Sequence, residues 1–452
     1  MSIIRQGRSG IPTLKISENH RYLVHDDGRP FFYLGDTAWA MLLRLNREEV
    51  NLYLENRARK GFSVIQTVIL CSDAVAGNAQ ADSLNAYGHA PLHDCDPDRP
   101  NEAYFAHIDY VVASAAEWGL FLGLLPAWGH IWRACADGTR GLFTPESARR
   151  YGLFLGKRYA GKPVIWILGG DRNITTPEER QIITALALGL REGGRGRHLL
   201  TFHPRGPGQS SDWLHEAEWL DFNMIQSSHP VCDHDNGLFT EHDYALTPVK
   251  PVVDGEPRYE MIQAGFYYKG VAKLQRFDDY DARQAAYWSL LAGACGHTYG
   301  HHSIWQMWQP GREPIIGACV PWQEALDHLG AFQMGLLRRL FESRAWQTLV
   351  PARDMVLDGP AGPGAKVRAA RAADGSFAFV YSPRGEPFTV SMNVIHPQRV
   401  KAYWFDPRYG STDLFYDCDS PGIQTFAPPT SGRGRDWLLI LEDPARAAKR
   451  GA

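Results

Sequence analysis

Eight short apolar runs, spaced along the first three quarters of the chain and separated by helical patterns, constrain the fold more than any other feature. They are Phe31–Gly35, Phe62–Leu70, Leu120–Pro126, Val164–Gly170, His198–His203, Leu220–Gln226, Pro251–Gly255 and Ala294–Gly300. Runs rich in β-branched and apolar residues without polar alternation mark strands buried on both faces, as in a parallel sheet. Helical candidates fill the gaps. Arg47–Lys60 follows Asn46, a good N-cap. Asn101–Trp118 carries apolar residues near period 3.6, and Pro145–Tyr159 and Pro177–Glu192 are each entered through Thr-Pro. Asp281–Ala292 and Pro321–Phe341 complete the set. Strands alternating with helices over this length predict an α/β fold, a (β/α)8 TIM barrel. A doubly wound open sheet competes with it, but no glycine-rich phosphate fingerprint follows the first run.

The pattern changes after about Ser343. Val367–Ala372, Ser376–Ser382, Pro387–Val394, Arg399–Asp406 and Trp437–Glu442 are short and strand-like, and turn signals at Asp374–Gly375, Arg384–Gly385 and Pro407–Gly410 separate them. This predicts a small all-β antiparallel sandwich. The expected domains are therefore a barrel over 1–343 and a β-sandwich over 344–452.

Some partners are excluded by composition. The chain has 47 basic and 50 acidic side chains, a net charge of −3, so it lacks the basic excess of a nucleic-acid footprint. No apolar run reaches the roughly 20 residues of a membrane span. The amino-terminal MSIIRQGRSGIPTLKIS has no apolar core of the signal-peptide kind, which predicts a cytoplasmic location. The seven cysteines are Cys71, Cys95, Cys135, Cys232, Cys295, Cys319 and Cys418. None has CxxC spacing, so reduced, mostly buried thiols are expected. The 14 Trp and 19 Tyr suit a protein that meets the flat C–H faces of sugars, and equally an aromatic-rich core.

Two runs end abruptly in glycine and an acid: VIWILGGDRN at Val164–Asn173 and PVVDGEPR at Pro251–Arg258. By count, Asp171 ends the fourth strand and Glu256 the seventh. In a barrel these lie across the mouth from one another, where active sites are built. Paired carboxylates over one bond are what glycoside hydrolysis requires, and a separation of about 5–5.5 Å gives the retaining form. Asp171 and Glu256 are the candidate catalytic pair. Asp254 and Glu256 point to the same side if the segment is extended. Candidate substrate ligands fall at the other strand ends: Asp36, Trp39, Trp128, His130, Arg172, His203, Gln226, His229, Arg258, Tyr259, His301, His302 and Trp305. No cofactor or metal is expected, and the partner is a small oligosaccharide or glycoside. Two alternatives stand beside this reading. One is a carbohydrate-binding barrel without turnover. The other is a metal-dependent hydrolase using His297, His301 and His302 or the His229, Asp233, His234, Asp235 group, although neither spacing matches a metal signature and no HExxH occurs.

The segments FFYLGDTAW, YFAHIDYVV, GLLPAWG, GKRYAGKPVIWILGGDRN, DFNMIQSSH, VKPVVDGEPRYE and AAYWSLLAGACGHTYGHHSIWQ resemble the apiosidase-like glycoside hydrolases, family 140 and its relatives. In the tail, VYSPRGEPFTV, WFDPRYG and GRGRDWLLILED resemble the collagen-binding-type β-domain that follows the barrel in this family. The resemblance implies a (β/α)8 barrel with a C-terminal sandwich and release of apiose-linked sugar from pectic side chains with retention. It also implies that the GGD aspartate, Asp171, is the acid/base and the DGE glutamate, Glu256, the nucleophile.

Overall fold

The computed structural model describes residues 13–71, 83–133, 141–269, 275–395, 399–419 and 422–443. Eight parallel strands form the first layer: β1 (Tyr33–Thr37), β2 (Val64–Leu70), β3 (Phe121–Ala127), β4 (Val164–Gly169), β5 (Leu200–His203), β6 (Asn223–Gln226), β7 (Val252–Asp254) and β8 (Gly296–Tyr299). All eight expected strands are present. Every residue in them is buried, as the continuous apolar runs require. Parallel ladders join β1 through β5 in order, β6 to β7, β7 to β8, and β8 back to β1. Between β5 and β6, Asp221 N–H donates to the Leu200 carbonyl at 2.9 Å and the Thr201 hydroxyl to the Phe222 carbonyl at 2.7 Å, which closes the ring.

A helix follows each strand: α1 (Arg47–Lys60), α2 (Glu102–Glu117), α3 (Pro145–Arg158), α4 (Pro177–Gly193), α5 (Ser211–Leu214), α6 (Gly237–Tyr244), α7 (Asp279–Leu291) and α8 (Leu329–Glu342). Their starts obey local chemistry. Asn46, Thr144 and Thr176 cap α1, α3 and α4 through capping boxes. One expected helix, Pro321–Phe341, breaks in two. A short turn of helix covers Trp322–Ala325, and His328 is extended before α8 begins. Side chains of α1 hold the preceding residue there, since Lys60 and Asn56 both donate to the Asp327 carboxylate.

A three-stranded antiparallel sheet, Leu14–Ile16, Leu23–His25 and Pro30–Phe31, precedes β1, and the described chain after α8 forms two more antiparallel sheets. Six strands run in the spatial order Leu349–Pro351, Arg368–Ala372, Phe377–Ser382, Trp437–Glu442, Arg399–Phe405 and Thr412–Asp419; Val356–Asp358, Phe388–Ser391 and Ile423–Phe426 make the second sheet. Four of these strands carry no clear sequence signal. Thr412–Asp419 shows why: it is an edge strand that leaves Leu414 and Phe415 exposed, so no buried face imprints alternation on it. The central strands alternate cleanly. Phe377, Phe379 and Tyr381 pack into the barrel's core, whereas Ala378 and Val380 pack between the two sheets. Tyr381 stacks on Tyr287 of α7 at 4.7 Å, and Arg283 of α7 pairs with the buried Asp436 at 2.7 Å.

The cysteines are less buried than expected. Cys295 is buried, Cys71, Cys95 and Cys232 are partly exposed, and Cys319 is exposed. Cys135 and the side chain of Cys418 lie outside the described residues. Among the described residues no helix is long and apolar enough to cross a membrane.

Candidate active site

The carboxyl ends of the barrel strands surround a cleft of about 380 Å³. Trp39 enters it after β1, Trp128 after β3, Asp171 and Arg172 after β4, Arg205 and Gly206 after β5, and Gln226, Ser228 and His229 at and after β6. Glu256, Tyr259, Ile262, Phe266 and Tyr267 follow β7, and Trp305, Ile315 and Ile316 follow β8. The wall is mostly apolar and aromatic, with a few convergent polar groups, as small-molecule sites are.

Asp171 reaches the cleft through an unusual turn. Gly169, Gly170 and Asp171 take positive φ in succession, 93°, 95° and 56°. A Cβ on Gly169 would lie 2.4 Å from the His203 carbonyl oxygen, and one on Gly170 would lie 2.8 Å from the Trp128 ring. Both positions therefore need glycine, for conformation and for space. A left-handed aspartate costs roughly 1–3 kcal/mol and persists because its surroundings over-determine it. Gly170 N–H donates to the His203 carbonyl at 3.0 Å, Gly129 N–H to the Gly170 carbonyl at 2.9 Å, and Trp132 Nε1 to the Gly169 carbonyl at 2.7 Å. Arg172 Nη1 lies 3.0 Å from the Asp171 carboxylate, whose side chain keeps 30% exposure toward the cleft. Withdrawal from bulk water and the negative charge of Glu256 push this carboxyl up, against the opposing pull of Arg172, His203 and Gln226.

Glu256 lies beyond the end of β7. Gly255 and Glu256 both donate their N–H groups to the Ile225 carbonyl, and Gln66 of β2 donates to the Gly255 carbonyl at 2.8 Å. Because the strand stops at Asp254, period-two alternation does not carry over to Glu256. Asp254 is buried instead, bonded by Ser227 at 2.8 Å and Asn236 at 2.9 Å, and burial pushes it up to about 6. The Glu256 carboxylate meets two histidines. His203 Nε2 lies 3.0 Å from Oε2, and His229 Nε2 lies 3.3 Å from Oε1. Each ring receives a backbone N–H on its other nitrogen, from Asp171 to His203 Nδ1 at 3.3 Å and from Tyr259 to His229 Nδ1 at 3.4 Å. An accepting Nδ1 leaves the proton of a neutral imidazole on Nε2, the nitrogen nearer the carboxylate; the His229 contact is a hydrogen bond and the His203 contact a close approach. Burial opposes ionisation of Glu256, but contact with the two histidines outweighs it and holds the group down at about 2. The Tyr259 hydroxyl also faces Glu256 and accepts from Trp39 Nε1 at 3.0 Å.

The structure brings Asp171, Glu256, Trp39, Trp128, Arg172, Gln226, His229, Tyr259 and Trp305 to one cleft. His203 sits beneath it, fully buried against Glu256. Five other candidates are elsewhere. Asp36 lies below the floor, where Arg57 Nε and the Tyr53 hydroxyl each reach its carboxylate at 2.5 Å. Arg258 turns outward, donating to the Cys232 carbonyl and to Gln284 at 2.9 Å, over the Trp288 ring. It therefore makes no contact with Glu256. His130 is buried beside Arg172, and burial with that charge pushes it down to about 4. His301 caps the short helix that follows β8 and meets His328 at 3.1 Å. His302 lies behind the wall, bonded to the Ile316 carbonyl and to Trp305 Nε1. The two histidine-rich groups disperse likewise. His229 goes to Glu256, Asp233 to Arg384 at 3.0 Å and Asp235 to Arg368 at 2.8 Å; among the described residues no three His, Cys, Asp or Glu form a metal-binding group. Arg205, Gly206, Ser228, Ile262, Phe266, Tyr267, Ile315 and Ile316 were not expected in the wall. The run Gly265–Tyr268 (GFYY), aromatic side chains in a loop rather than a strand, is the one signal that could have marked some of them.

Residues 17–348 match the profile of an apiosidase-like catalytic domain, and residues 350–442 match one named for a collagen-binding domain of a collagenase. A solved structure described as a glycoside hydrolase is 33% identical, with 96% of this chain and 97% of that one aligned at a TM-score of 0.87. A second, described as a glycoside hydrolase family 5 from Bacteroides vulgatus, is also 33% identical over 96% of this chain and 93% of that one, at a TM-score of 0.86. No curated protein matches the chain.

Proposed function

The chain belongs to the apiosidase-like glycoside hydrolases, and on that premise we propose that it cleaves a glycosidic bond with retention of configuration, using Glu256 as nucleophile and Asp171 as acid/base. The observation that carries this reading is the opposed environment of two carboxyl groups in one cleft. Two histidines hold Glu256 ionised, while burial and the charge of Glu256 favour a protonated Asp171. Environments that push paired carboxyls apart are what separate a nucleophile from an acid.

In the first step a Glu256 oxygen bonds to the anomeric carbon as the bond to the leaving oxygen breaks, and the Asp171 proton passes to that oxygen. In the second step Asp171, now a carboxylate, takes a proton from water. The water oxygen bonds to the anomeric carbon and Glu256 leaves as a carboxylate. Arg172, within 3.0 Å of Asp171, favours the charged form needed in this step. The cleft is small for a polymer-binding groove, which suits removal of a terminal sugar, and apiose-containing pectic oligosaccharides are the substrates proposed. The test is a panel of pectic oligosaccharides and activated aryl glycosides, with Glu256→Gln and Asp171→Asn as controls and the first-formed anomer read by NMR. Turnover that survives Glu256→Gln, or a product of inverted configuration, overturns the mechanism.

A further inference from the structure

We propose that Phe266 and Tyr267 form a stacking subsite for a second sugar, so that the substrate is recognised as at least a disaccharide. This rests on the reading of the cleft as a glycoside site. A chain of aromatic contacts runs from the catalytic centre to the surface. The His229 ring lies 4.5 Å from that of Tyr259 and 6.0 Å from Phe266; Phe266 lies 4.9 Å from Tyr267, and Tyr267 4.8 Å from Tyr268. Phe266 and Tyr267 line the cleft, and Tyr267 remains 37% exposed at its mouth.

The loop carrying these rings is tied to the nucleophile's own support. Gly265 N–H donates to the His229 carbonyl at 2.7 Å, and Tyr268 N–H closes the turn on the Gly265 carbonyl at 2.9 Å. Gly265 has a φ of 60°, and a Cβ there would lie 2.9 Å from the Pro230 carbonyl oxygen. His229 thus fixes the Glu256 carboxylate with its ring and the aromatic loop with its backbone. The Tyr267 hydroxyl lies 3.4 Å from Ser228 Oγ, and the residue lines the cleft. An aromatic face offered at a fixed distance from a cleaved bond suits the C–H face of a pyranose or furanose ring, whose carbons carry partial positive charge.

The experiment is calorimetric titration of full-length Glu256→Gln with neutral and acidic pectic oligosaccharides of one to four sugars, alone and combined with Tyr267→Ala or Tyr267→Phe. The expected result is a gain of roughly tenfold in affinity from one sugar to two, lost with Tyr267→Ala and kept with Tyr267→Phe. An equal gain in all three proteins, an equal loss with Phe and Ala, or no binding at any length overturns the subsite. Product analysis of the wild-type protein with the same sugars reports separately on hydrolysis. Length-dependent binding without turnover would leave the subsite standing and remove the reaction.

Discussion

His203 Nε2 lies 3.0 Å from the Glu256 carboxylate, while the other nitrogen of the same ring accepts the backbone N–H of Asp171. One buried imidazole therefore links the segments that carry both acids. It sets the charge of one and the backbone position of the other.

Replacing His203 by Ala is expected to raise the Glu256 pKa, because burial then acts against fewer compensating contacts. The acidic limb of kcat/KM should move to higher pH. His229→Ala should do the same through the other oxygen. A pH–rate profile checks both; limbs that stay in place would remove the electrostatic role.

The two carboxyls also fix the shape of that profile. Glu256 must be ionised, so the acidic limb lies near pH 2, the value at which its histidine partners hold it. Asp171 must be protonated, and its pKa is raised, so the alkaline limb lies above the ordinary carboxylate range. The signs for stability follow by linkage. Glu256, with a depressed folded pKa, stabilises the fold above its unfolded value and loses that contribution as pH falls toward 2. Asp171, with a raised one, contributes at low pH and loses that contribution as pH rises through its folded pKa. Thermal melts across pH check the second part.

Asp171→Asn is expected to lower kcat by about 10²–10⁴-fold on substrates with poor leaving groups. Aryl glycosides with good leaving groups should suffer less in the first step, since they need little protonation. Equal losses for both classes would argue against Asp171 as the acid.

Gly170→Ala should destabilise by roughly 1–3 kcal/mol and also depress activity. Its Cβ meets the Trp128 ring at 2.8 Å from a backbone with a φ of 95°, and the strain falls on the residue preceding Asp171. Denaturant unfolding and kcat measured together test this.

Asp36→Asn is expected to cost about 3–5 kcal/mol, because it leaves the fully buried Arg57 uncompensated. The loss should show in the unfolding midpoint, with KM little changed in the fraction that remains folded. A large KM effect would return Asp36 to the substrate.

The barrel is legible in the sequence, since a strand buried on both faces writes a continuous apolar run and Val64–Leu70 or Val164–Gly169 needs no partner to be recognised. Asp171 and Glu256 were legible for a related reason: an acid following glycines at the end of such a run has left the core. Trp39, Trp128 and Trp305 reached the cleft as expected, whereas Asp36 and Arg258 did not. A strand end places a side chain at the rim, but whether it faces the cleft or the helical layer depends on the turn that follows. Arg258 turned toward Gln284 on α7, a residue 26 positions away that no local pattern links to it. The histidines on Glu256 come from β5 and the segment after β6, and their tautomers depend on N–H groups of residues 30 or more positions distant. Burial period is a local property and the sequence by itself determined it; which charge meets which is set by closure of the ring, and only the tertiary structure decided that.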